Sequence, residues 1–488
     1  MHSQILISFF AYFCVLLAIG IISHKKQTSS TDFIMGNRSL NFWLTALSAH
    51  ASDMSAWLFM GFPAAIFLGG FSKSWIAIGL VGGMFFNWQF VAKKLRTATE
   101  KYDSYTLSTY FERRFTDHSG TLRILTATIC VFFLISYLAA GLIAMGLLFE
   151  SIFKIDYYIG LSLATFVVVV YTVFGGFHTV AWTDLFQALF LLAVIVFVPF
   201  VAYMELPNGV ADIQAVAEIK NISLSLFDHP SKEAMLANFF LICWGLGYFG
   251  QPHIVTKFMG IKSADDIYKA KYVGMTWQIM TLLAASAVGL IGIAFFAEGA
   301  QDAELVFVSM VKILFNPLVA GFILCAVLAA NMSTMDSQIL VCASILSEDF
   351  YKRMVGKEAS PKKLLMISRL SVVFVSLFSL ALAFNKNSTV LEAVEYAWSG
   401  LGASFGPLVL MSLYSKRANR YGAVAGILVG SIVAGGWHFV NDYFSEYTIP
   451  AMLPAFFLSL TSIYLISALT DKYTQVSCQE EMGQKQIL

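Results

Sequence analysis

The chain has 488 residues, of which 58% are hydrophobic, 15% are aromatic and only 12% are charged. Because soluble proteins carry about 25% charged residues, this composition excludes an ordinary soluble protein and favours a membrane protein. The formal net charge of +1 argues against a nucleic-acid partner, since nucleic acids are bound by concentrated basic surfaces.

Thirteen segments are candidates for membrane-spanning helices, which need about 20 mostly apolar residues each. The first segment has no basic region before it and no small-residue cleavage pattern, so we expect a retained helix and not a signal peptide. The longer segments are expected to contain breaks or short surface helices. The predicted spans are residues 4–23, 41–68, 73–93, 121–150, 157–177, 181–204, 234–258, 270–298, 307–345, 364–384, 391–415, 421–440 and 448–469. This pattern predicts an all-α polytopic membrane protein.

The distribution of Lys and Arg predicts the orientation of these helices. With thirteen spans, all but six of the 31 basic residues fall in one set of alternate loops, among them Lys25 and Lys26. We assign this set to the cytoplasm, which places the N-terminus outside and the C-terminus inside. The six basic residues of the other loops are Lys73, Lys154, Lys220, Lys232, Lys312 and Lys386.

The sequence has no feature of an enzyme. Its longest hydrophilic stretches, residues 94–120 and 205–233, are too short for an independent soluble core. The motifs GxxxxGK[ST] and HExxH are absent. The six cysteines form no CxxC pair and are interpreted as small buried hydrophobic residues. We therefore predict neither an enzyme nor a bound cofactor.

A polar stretch interrupts the second predicted span. Residues 48–57 combine small residues and hydroxyls with one carboxylate, Asp53. Because lipid offers no hydrogen bonds, polar groups at this depth must face protein or a cavity. Asp53 is therefore either functional or bonded to a neighbouring helix for packing, and the same two alternatives hold for His50.

A second break is predicted at residues 244–253, where three glycines and a proline disfavour a regular helix. A kinked packing helix is the alternative. Transporters built from inverted repeats place discontinuous helices at corresponding positions of their two halves. We therefore expect a single transmembrane domain with the substrate site between the breaks. Its parts are an extra N-terminal helix (4–23), two five-helix repeats (41–204 and 234–415), two C-terminal helices (421–469) and a cytoplasmic tail (470–488).

A third polar stretch, residues 329–338, lies in the ninth predicted span. The adjacent hydroxyls of Ser333 and Thr334, together with carbonyl oxygens, suit a hard cation. Hydroxyls in membrane helices also commonly bond back to their own helix. Two weaker candidates are Tyr137, among apolar residues, and Asp184, at the predicted start of the sixth span, where an N-cap is the alternative.

With these segments in view, the sequence resembles the sodium/solute symporter family, and within it the bacterial sodium/proline symporters. The resemblance extends over almost the whole chain, and the block WGLGYFGQPH at 244–253 is its most specific part. The other matching stretches are IMGNRSL (34–40), ASDMS (51–55), SWIAIGL (74–80), WTD (182–184), MST (332–334), SEDFYK (347–352) and FGP (405–407).

This resemblance implies a leucine-transporter type of fold with thirteen helices and one sodium ion carried per substrate molecule. It implies a sodium site of backbone carbonyls and hydroxyls, formed by Ala51, Met54, Ala330, Ser333 and Thr334. Asp53 would support sodium binding electrostatically, and Asp184 matches a position implicated in ion handling. The residues implied to face the substrate are Ser55, Trp57, Tyr137, Trp244, Tyr248 and Pro252.

Four residues depart from the family's pattern or add polar groups near the expected site. Ala56 replaces an expected glycine, and His50 stands where the proline symporters tend to have glycine. Asn331 and Asp336 lie beside the implied cation site. His50 and Asp336 leave open a proton contribution or an altered ion selectivity.

The leading hypothesis is a secondary symporter of a bacterial cytoplasmic membrane, coupling Na⁺ to uptake of L-proline. The nearest alternative is a Na⁺- or H⁺-coupled symporter for another small amino acid or organic solute. A solute sensor would normally need an appended signalling domain, and a channel would need a charged ring or a carbonyl filter, so we favour both less. We expect no obligatory protein partner.

Overall fold

The structure is a computed structural model that describes residues 2–23, 30–227, 231–356, 359–385, 389–441, 443 and 448–485. The loop residues Lys25, Lys26 and Lys386 and the last three residues of the predicted tail lie outside the described residues, as do the side chains of residues 472–485, including Cys478. The other five cysteines are free thiols, and four of them are buried as predicted, whereas Cys14 is exposed.

The described chain is built from α-helices. They are α1 (His2–Ser23), α2 (Ser30–Met35), α3 (Phe42–Ala51), α4 (Gly61–Gly69), α5 (Trp75–Phe86), α6 (Lys93–Lys101), α7 (Leu107–Arg114), α8 (Thr121–Phe153), α9 (Tyr157–Phe174), α10 (Phe177–Met204), α11 (Val210–Ile219), α12 (Lys232–Ile242), α13 (Pro252–Met259), α14 (Ile267–Phe295), α15 (Val306–Leu314), α16 (Pro317–Ser344), α17 (Lys352–Met354), α18 (Pro361–Ala383), α19 (Val390–Tyr414), α20 (Arg420–Asn441) and α21 (Met452–Lys485). Two π-helical turns, Asn87–Ala92 and Ile345–Tyr351, continue α5 and α16.

The number of spanning helices is smaller by strict criteria than the sequence predicts. Within the described residues, ten helices are long and apolar enough to cross a membrane, or eleven if the bent pair α3–α4 is one span. Helices α9 and α19 occupy two further predicted spans but are not among these. In α9 the apolar part, Tyr157–Val170, is shorter than a full span. The predicted count of thirteen is therefore not confirmed.

The second span is broken where its polar stretch predicts a break. Helix α3 ends at Ala51, a short 3₁₀ turn covers Ala56–Leu58, and α4 leaves at an angle of 70° to α3. Asn41 caps the start of α3 by accepting a hydrogen bond from the Leu44 N–H at 2.9 Å. The residues between the two half-helices are buried, so their polar groups depend on protein partners.

The seventh span is broken as well. Residues Cys243–Gly250 form a 3₁₀ helix, Gln251 is extended, and α13 begins at Pro252. Proline suits this first helical position because its missing N–H would have no partner there. Helix α16, in contrast, continues without interruption through residues 329–338, so the third polar stretch is no backbone break. The long predicted span at 307–345 divides instead at Phe315 and Asn316, between α15 and α16.

The ends of the two broken spans are joined by backbone hydrogen bonds. The N–H of Leu40 donates to the Gly260 carbonyl at 3.2 Å, and the N–H of Lys262 donates to the Leu40 carbonyl at 2.8 Å. This isolated parallel bridge, between Leu40 and Ile261, joins the start of α3 to the end of α13. The half-helices α3 and α13 are therefore held together by backbone hydrogen bonds.

Candidate functional site

The oxygens of the expected cation site converge between α3 and α16. The hydroxyl of Ser333 lies 2.8 Å from the Ala51 carbonyl oxygen and 3.0 Å from that of Ala330. The hydroxyl of Thr334 lies 3.3 Å from the Ala51 oxygen and 3.1 Å from the Ala330 oxygen. All four residues are buried. The Ala51 carbonyl is available because α3 ends at this residue.

These separations suit a small hard cation. Such cations hold oxygen ligands at about 2.3–2.6 Å. Oxygens 2.8–3.3 Å apart would then subtend about 70–90° at a shared ion. Met54, the fifth predicted ligand residue, is buried in the turn that follows α3. The group of oxygens is neutral, so it could hold a monovalent ion with no further charge.

Asp53 connects this turn to the second broken span. One of its carboxylate oxygens accepts a hydrogen bond from the Tyr248 hydroxyl, which in turn accepts one from the Gln278 side-chain amide at 2.8 Å. The Tyr248 carbonyl accepts from the Asn87 side chain at 3.0 Å. Tyr248 is thus bonded at both its side chain and its backbone. Asp53 was predicted to be either functional or bonded to a neighbouring helix. Its carboxylate does bond to another span, and this bond lies inside the expected site.

The residues expected to face the substrate lie around this connection. Ser55 and Trp57 follow Asp53, and the Trp57 indole donates to the Asp53 carbonyl at 3.4 Å. The hydroxyl of Tyr137, from α8, lies near Ser55 and Asp53. The structure therefore brings Ser55, Trp57, Tyr137 and Tyr248 together around Asp53, and all are buried.

Trp244 and Pro252 lie at the two ends of the second break. Trp244 is buried, and its carbonyl is bonded by α19. Pro252 lines a narrow cavity of about 20 Å³ that also touches Thr256, Lys257 and Ser108. A cavity of this size has room for about one water molecule. These two residues flank the group around Asp53 and are not part of its hydrogen bonds.

Asp184 is placed differently from the prediction. It lies within α10, not at its start, and it is fully buried, so the N-cap alternative is wrong. Its carboxylate accepts from the Ser48 hydroxyl at 2.5 Å and forms an ion pair of 3.1 Å with Lys257 on α13. A buried carboxylate needs such a partner because an uncompensated charge is strongly disfavoured away from water.

His50 is held among aromatic residues. Its Nε2 accepts a hydrogen bond from the Trp88 indole at 3.1 Å, and its ring stacks on that of Trp88 with centroids 6.1 Å apart. Trp277 packs on the same imidazole. A Cβ atom at Gly274 would overlap the His50 ring, so the missing side chain at 274 makes room for the histidine. His50 therefore packs between helices through a specific hydrogen bond.

The other polar departures tie α16 to its neighbours. The Asn331 amide donates to the Gly141 carbonyl of α8 at 2.7 Å. The Thr172 hydroxyl of α9 donates to the Asp336 carboxylate at 2.6 Å. Ala56 is buried within the 3₁₀ turn of the first break. These contacts give Asn331 and Asp336 packing partners beside the cation site.

Lys257, Gln278 and Trp398 also belong to the site, although the sequence patterns did not predict them. Lys257 carries a local signal, since a lysine in an apolar half-helix beside a break needs a buried counter-ion. Gln278 and Trp398 carry no local signal, because their partners are distant in the sequence. Gln278 lies 30 residues from Tyr248, and Trp398 lies 154 residues from Trp244.

Known protein sequences match this chain over nearly its full length. Residues 33–430 match the family described as the Sodium:solute symporter family. The high-affinity proline transporter PutP of Bacillus subtilis (strain 168) is 43% identical, over 94% of this chain and 97% of that protein. The osmoregulated proline transporter OpuE of the same organism is 41% identical, over 98% and 97%. The sodium/proline symporter of Staphylococcus aureus (strain JH9) is 43% identical, over 94% and 92%.

Solved structures share the fold at low sequence identity. A Na⁺-coupled sialic acid symporter in a substrate-bound outward-open state has a TM-score of 0.80 at 18% identity, over 96% of this chain and 97% of that one. MhsT in complex with L-phenylalanine has a TM-score of 0.55 at 13% identity, over 88% and 98%. At these identities the similarity concerns the fold alone.

Proposed function

The chain belongs to the sodium:solute symporter family, and we propose that it couples inward movement of Na⁺ to uptake of L-proline by alternating access. It is a multi-span membrane transporter and not an enzyme. The observation that carries the proposal is the convergence of four uncharged oxygens on α3 and α16, next to a carboxylate that is bonded to the second broken span. The names of its relatives support proline as the solute.

In this proposal Na⁺ binds to the carbonyls of Ala51, Met54 and Ala330 and to the hydroxyls of Ser333 and Thr334. The hydroxyls at present donate to the carbonyl oxygens. The lone pairs of the hydroxyl oxygens would coordinate a bound ion, and the hydroxyl hydrogens would turn away from it. The end of α3 and the middle of α16 would then be linked through the ion in place of hydrogen bonds.

Sodium binding would also order the substrate side of the site. Asp53 is two residues after Ala51, so fixing the turn at 51–54 fixes the carboxylate that accepts from Tyr248. Tyr248 in turn belongs to the second break. The ion and the solute would therefore favour the same arrangement of the two broken spans. Such coupling is reciprocal, and proline must raise the affinity for Na⁺ as much as Na⁺ raises the affinity for proline.

We assign Asp184 to ion handling through its pair with Lys257.

L-Proline is a compact zwitterion with an apolar ring. Tyr137, Tyr248, Trp57 and Trp244 offer aromatic faces that pack against such a ring and attract its ammonium group. The carboxylate would face the start of α13 at Pro252, because the N-terminus of a helix favours negative charge. Ser55 adds a hydroxyl near that of Tyr137.

We place the protein in a bacterial cytoplasmic membrane, with its N-terminus outside. Two inverted five-helix repeats would each begin at one broken span, and α9 and α19 would complete thirteen spans. The short apolar part of α9 and the lower hydropathy of α19 are compatible with spans that pack against other helices. Short or irregular helices at membrane depth are tolerated where protein covers them.

The test is uptake of radiolabelled L-proline into proteoliposomes under an imposed inward Na⁺ gradient. We expect transient accumulation above equilibrium, abolished by a Na⁺ ionophore and absent from protein-free liposomes. A panel of unlabelled amino acids added in excess should compete only if they resemble proline. Accumulation driven by a proton gradient without Na⁺, or accumulation of another solute alone, would contradict the proposal and support the neighbouring alternatives.

A further inference from the structure

Trp398 of α19 forms hydrogen bonds to both ends of the second break. Its indole N–H donates to the Trp244 carbonyl at 2.9 Å. Its own carbonyl accepts from the Gln251 side-chain amide at 3.0 Å. The side chain of Trp398 is 3% exposed. One residue of a neighbouring helix therefore spans the whole non-α-helical segment, from its first turn to its last residue.

A partner outside the broken span stabilises this geometry. The segment Cys243–Gly250 is a 3₁₀ helix, whose internal hydrogen bonds have poorer geometry than those of an α-helix, so a further donor to one of its carbonyls is favourable in a membrane interior. The indole of Trp398 bonds to the Trp244 carbonyl from outside the broken span. Because an indole N–H has one direction, this bond fixes where the carbonyl and the following turn must lie.

The indole packs directly against the backbone of the break. A Cβ atom at Gly247 would overlap Nε1 of Trp398, so the close approach requires glycine at 247. Gly402, one turn further along α19, also comes close to the break, since its Cβ would lie 2.6 Å from the Gly247 Cα atom. The ring of Trp398 stands edge-on to that of Tyr248, with centroids 5.1 Å apart and planes at 90°.

We propose that Trp398 is a positioning residue of the substrate pocket, which makes solute affinity depend on where α19 lies. It acts through Tyr248 and the Trp244 carbonyl and does not itself touch the solute or the ion. When α19 shifts, both ends of the break and the Tyr248 ring shift with it. This inference rests on the proposed function, since it concerns the affinity of the same pocket for proline.

The decisive comparison is Trp398→Phe against Trp277→Phe. Both tryptophans are 3% exposed, and each donates an indole hydrogen bond of 2.9 Å to a backbone carbonyl of another element, Ala188 in the case of Trp277. The two variants therefore remove the same kind of hydrogen bond. Trp398→Phe removes it at the break, and Trp277→Phe removes it elsewhere. Initial rates of Na⁺-driven proline uptake in proteoliposomes give the KM and Vmax of each variant.

We expect Trp398→Phe to raise the KM for proline about fivefold, the usual effect of losing one buried hydrogen bond, with Vmax changed less than about twofold. Trp277→Phe should leave the KM within about twofold of the wild type. A role in stability alone would lower the amount of active protein, and hence Vmax, in both variants. An unchanged KM in Trp398→Phe, or equal KM effects in the two variants, would overturn the proposal.

Gly247→Ala provides an independent variant, since it retains the indole but displaces it. It should raise the KM as well. The double variant with Trp398→Phe should show less than the product of the two single effects, because both disturb one contact. Independent, multiplicative effects would contradict the inference. Wild-type vesicles that fail to accumulate proline would instead contradict the proposed function, which separates the two failures.

Discussion

The sodium site can be tested by removing its two hydroxyls one at a time. Ser333→Ala and Thr334→Val each remove one oxygen and nearly preserve side-chain volume. The contribution of a hydrogen bond or equivalent contact to a charged group is about 1.5–3 kcal/mol. At 1.4 kcal/mol per factor of ten, each variant should raise the half-saturating Na⁺ concentration of proline uptake by about 10- to 150-fold.

The geometry indicates that the two effects will differ. Ser333 lies 2.8 Å from the Ala51 oxygen, whereas Thr334 lies 3.3 Å from it. The Ser333 hydroxyl is thus closer to the α3 end of the site, and its removal should have the larger effect. The double variant should lose less than the product of the single losses, because both hydroxyls would bind the same ion.

Ser347→Ala is the matched control. Ser347 is fully buried on the π-helical continuation of α16 and bonds back to the Ala343 carbonyl at 2.8 Å. Its removal should leave the half-saturating Na⁺ concentration unchanged. The assay is the initial rate of labelled proline uptake as a function of external Na⁺. If Ser333→Ala and Thr334→Val both stay within twofold of the wild type, the assignment of the cation site is wrong.

Three further variants test the remaining parts of the site. Lys257→Met should destabilise the protein by about 3–5 kcal/mol, because it leaves the Asp184 carboxylate unpaired. Thermal unfolding in detergent measures this loss of stability. If the ion pair is the cause, adding Asp184→Asn should restore part of the lost stability. Tyr248→Phe removes the bond to Asp53 and should raise both the KM for proline and the half-saturating Na⁺ concentration several-fold, so a change in only one would contradict the coupling. Burial raises the pKa of the Glu304 carboxyl, which accepts from two N–H groups at the start of α19; its protonation as external pH falls should weaken this cap and slow uptake, and Glu304→Gln should show a flatter pH profile.

The breaks in the helices could be predicted because their causes are local. Asp53 among small residues, and a proline after three glycines at 244–253, disfavour a regular apolar helix wherever they occur. Ser333 and Thr334 were also recognisable as adjacent hydroxyls in an apolar segment. Their approach to Ala51 followed from the family resemblance, and the structure brings these groups together across 282 residues of sequence.

The contacts between distant residues could not be read from local patterns. Asp184 was assigned to a helix start because the sixth span was predicted to begin at residue 181, but α10 begins at Phe177 and already covers Asp184. Its partner Lys257 lies 73 residues away. The count of thirteen spans stays unconfirmed for a related reason, since helices covered by protein need less apolar length and composition than helices that face lipid.

The packing of His50 against Gly274 restricts the order in which the two positions can change during evolution. A side chain at 274 would overlap the imidazole, so a first mutation at Gly274 is blocked while His50 is present. A first mutation of His50 to glycine is sterically allowed, although it leaves an empty space and removes the acceptor of the Trp88 indole. A larger residue at 274 could then fill that space. We therefore expect a route between the histidine and glycine forms to pass through a loosely packed ancestor, and the pair to vary together among descendants.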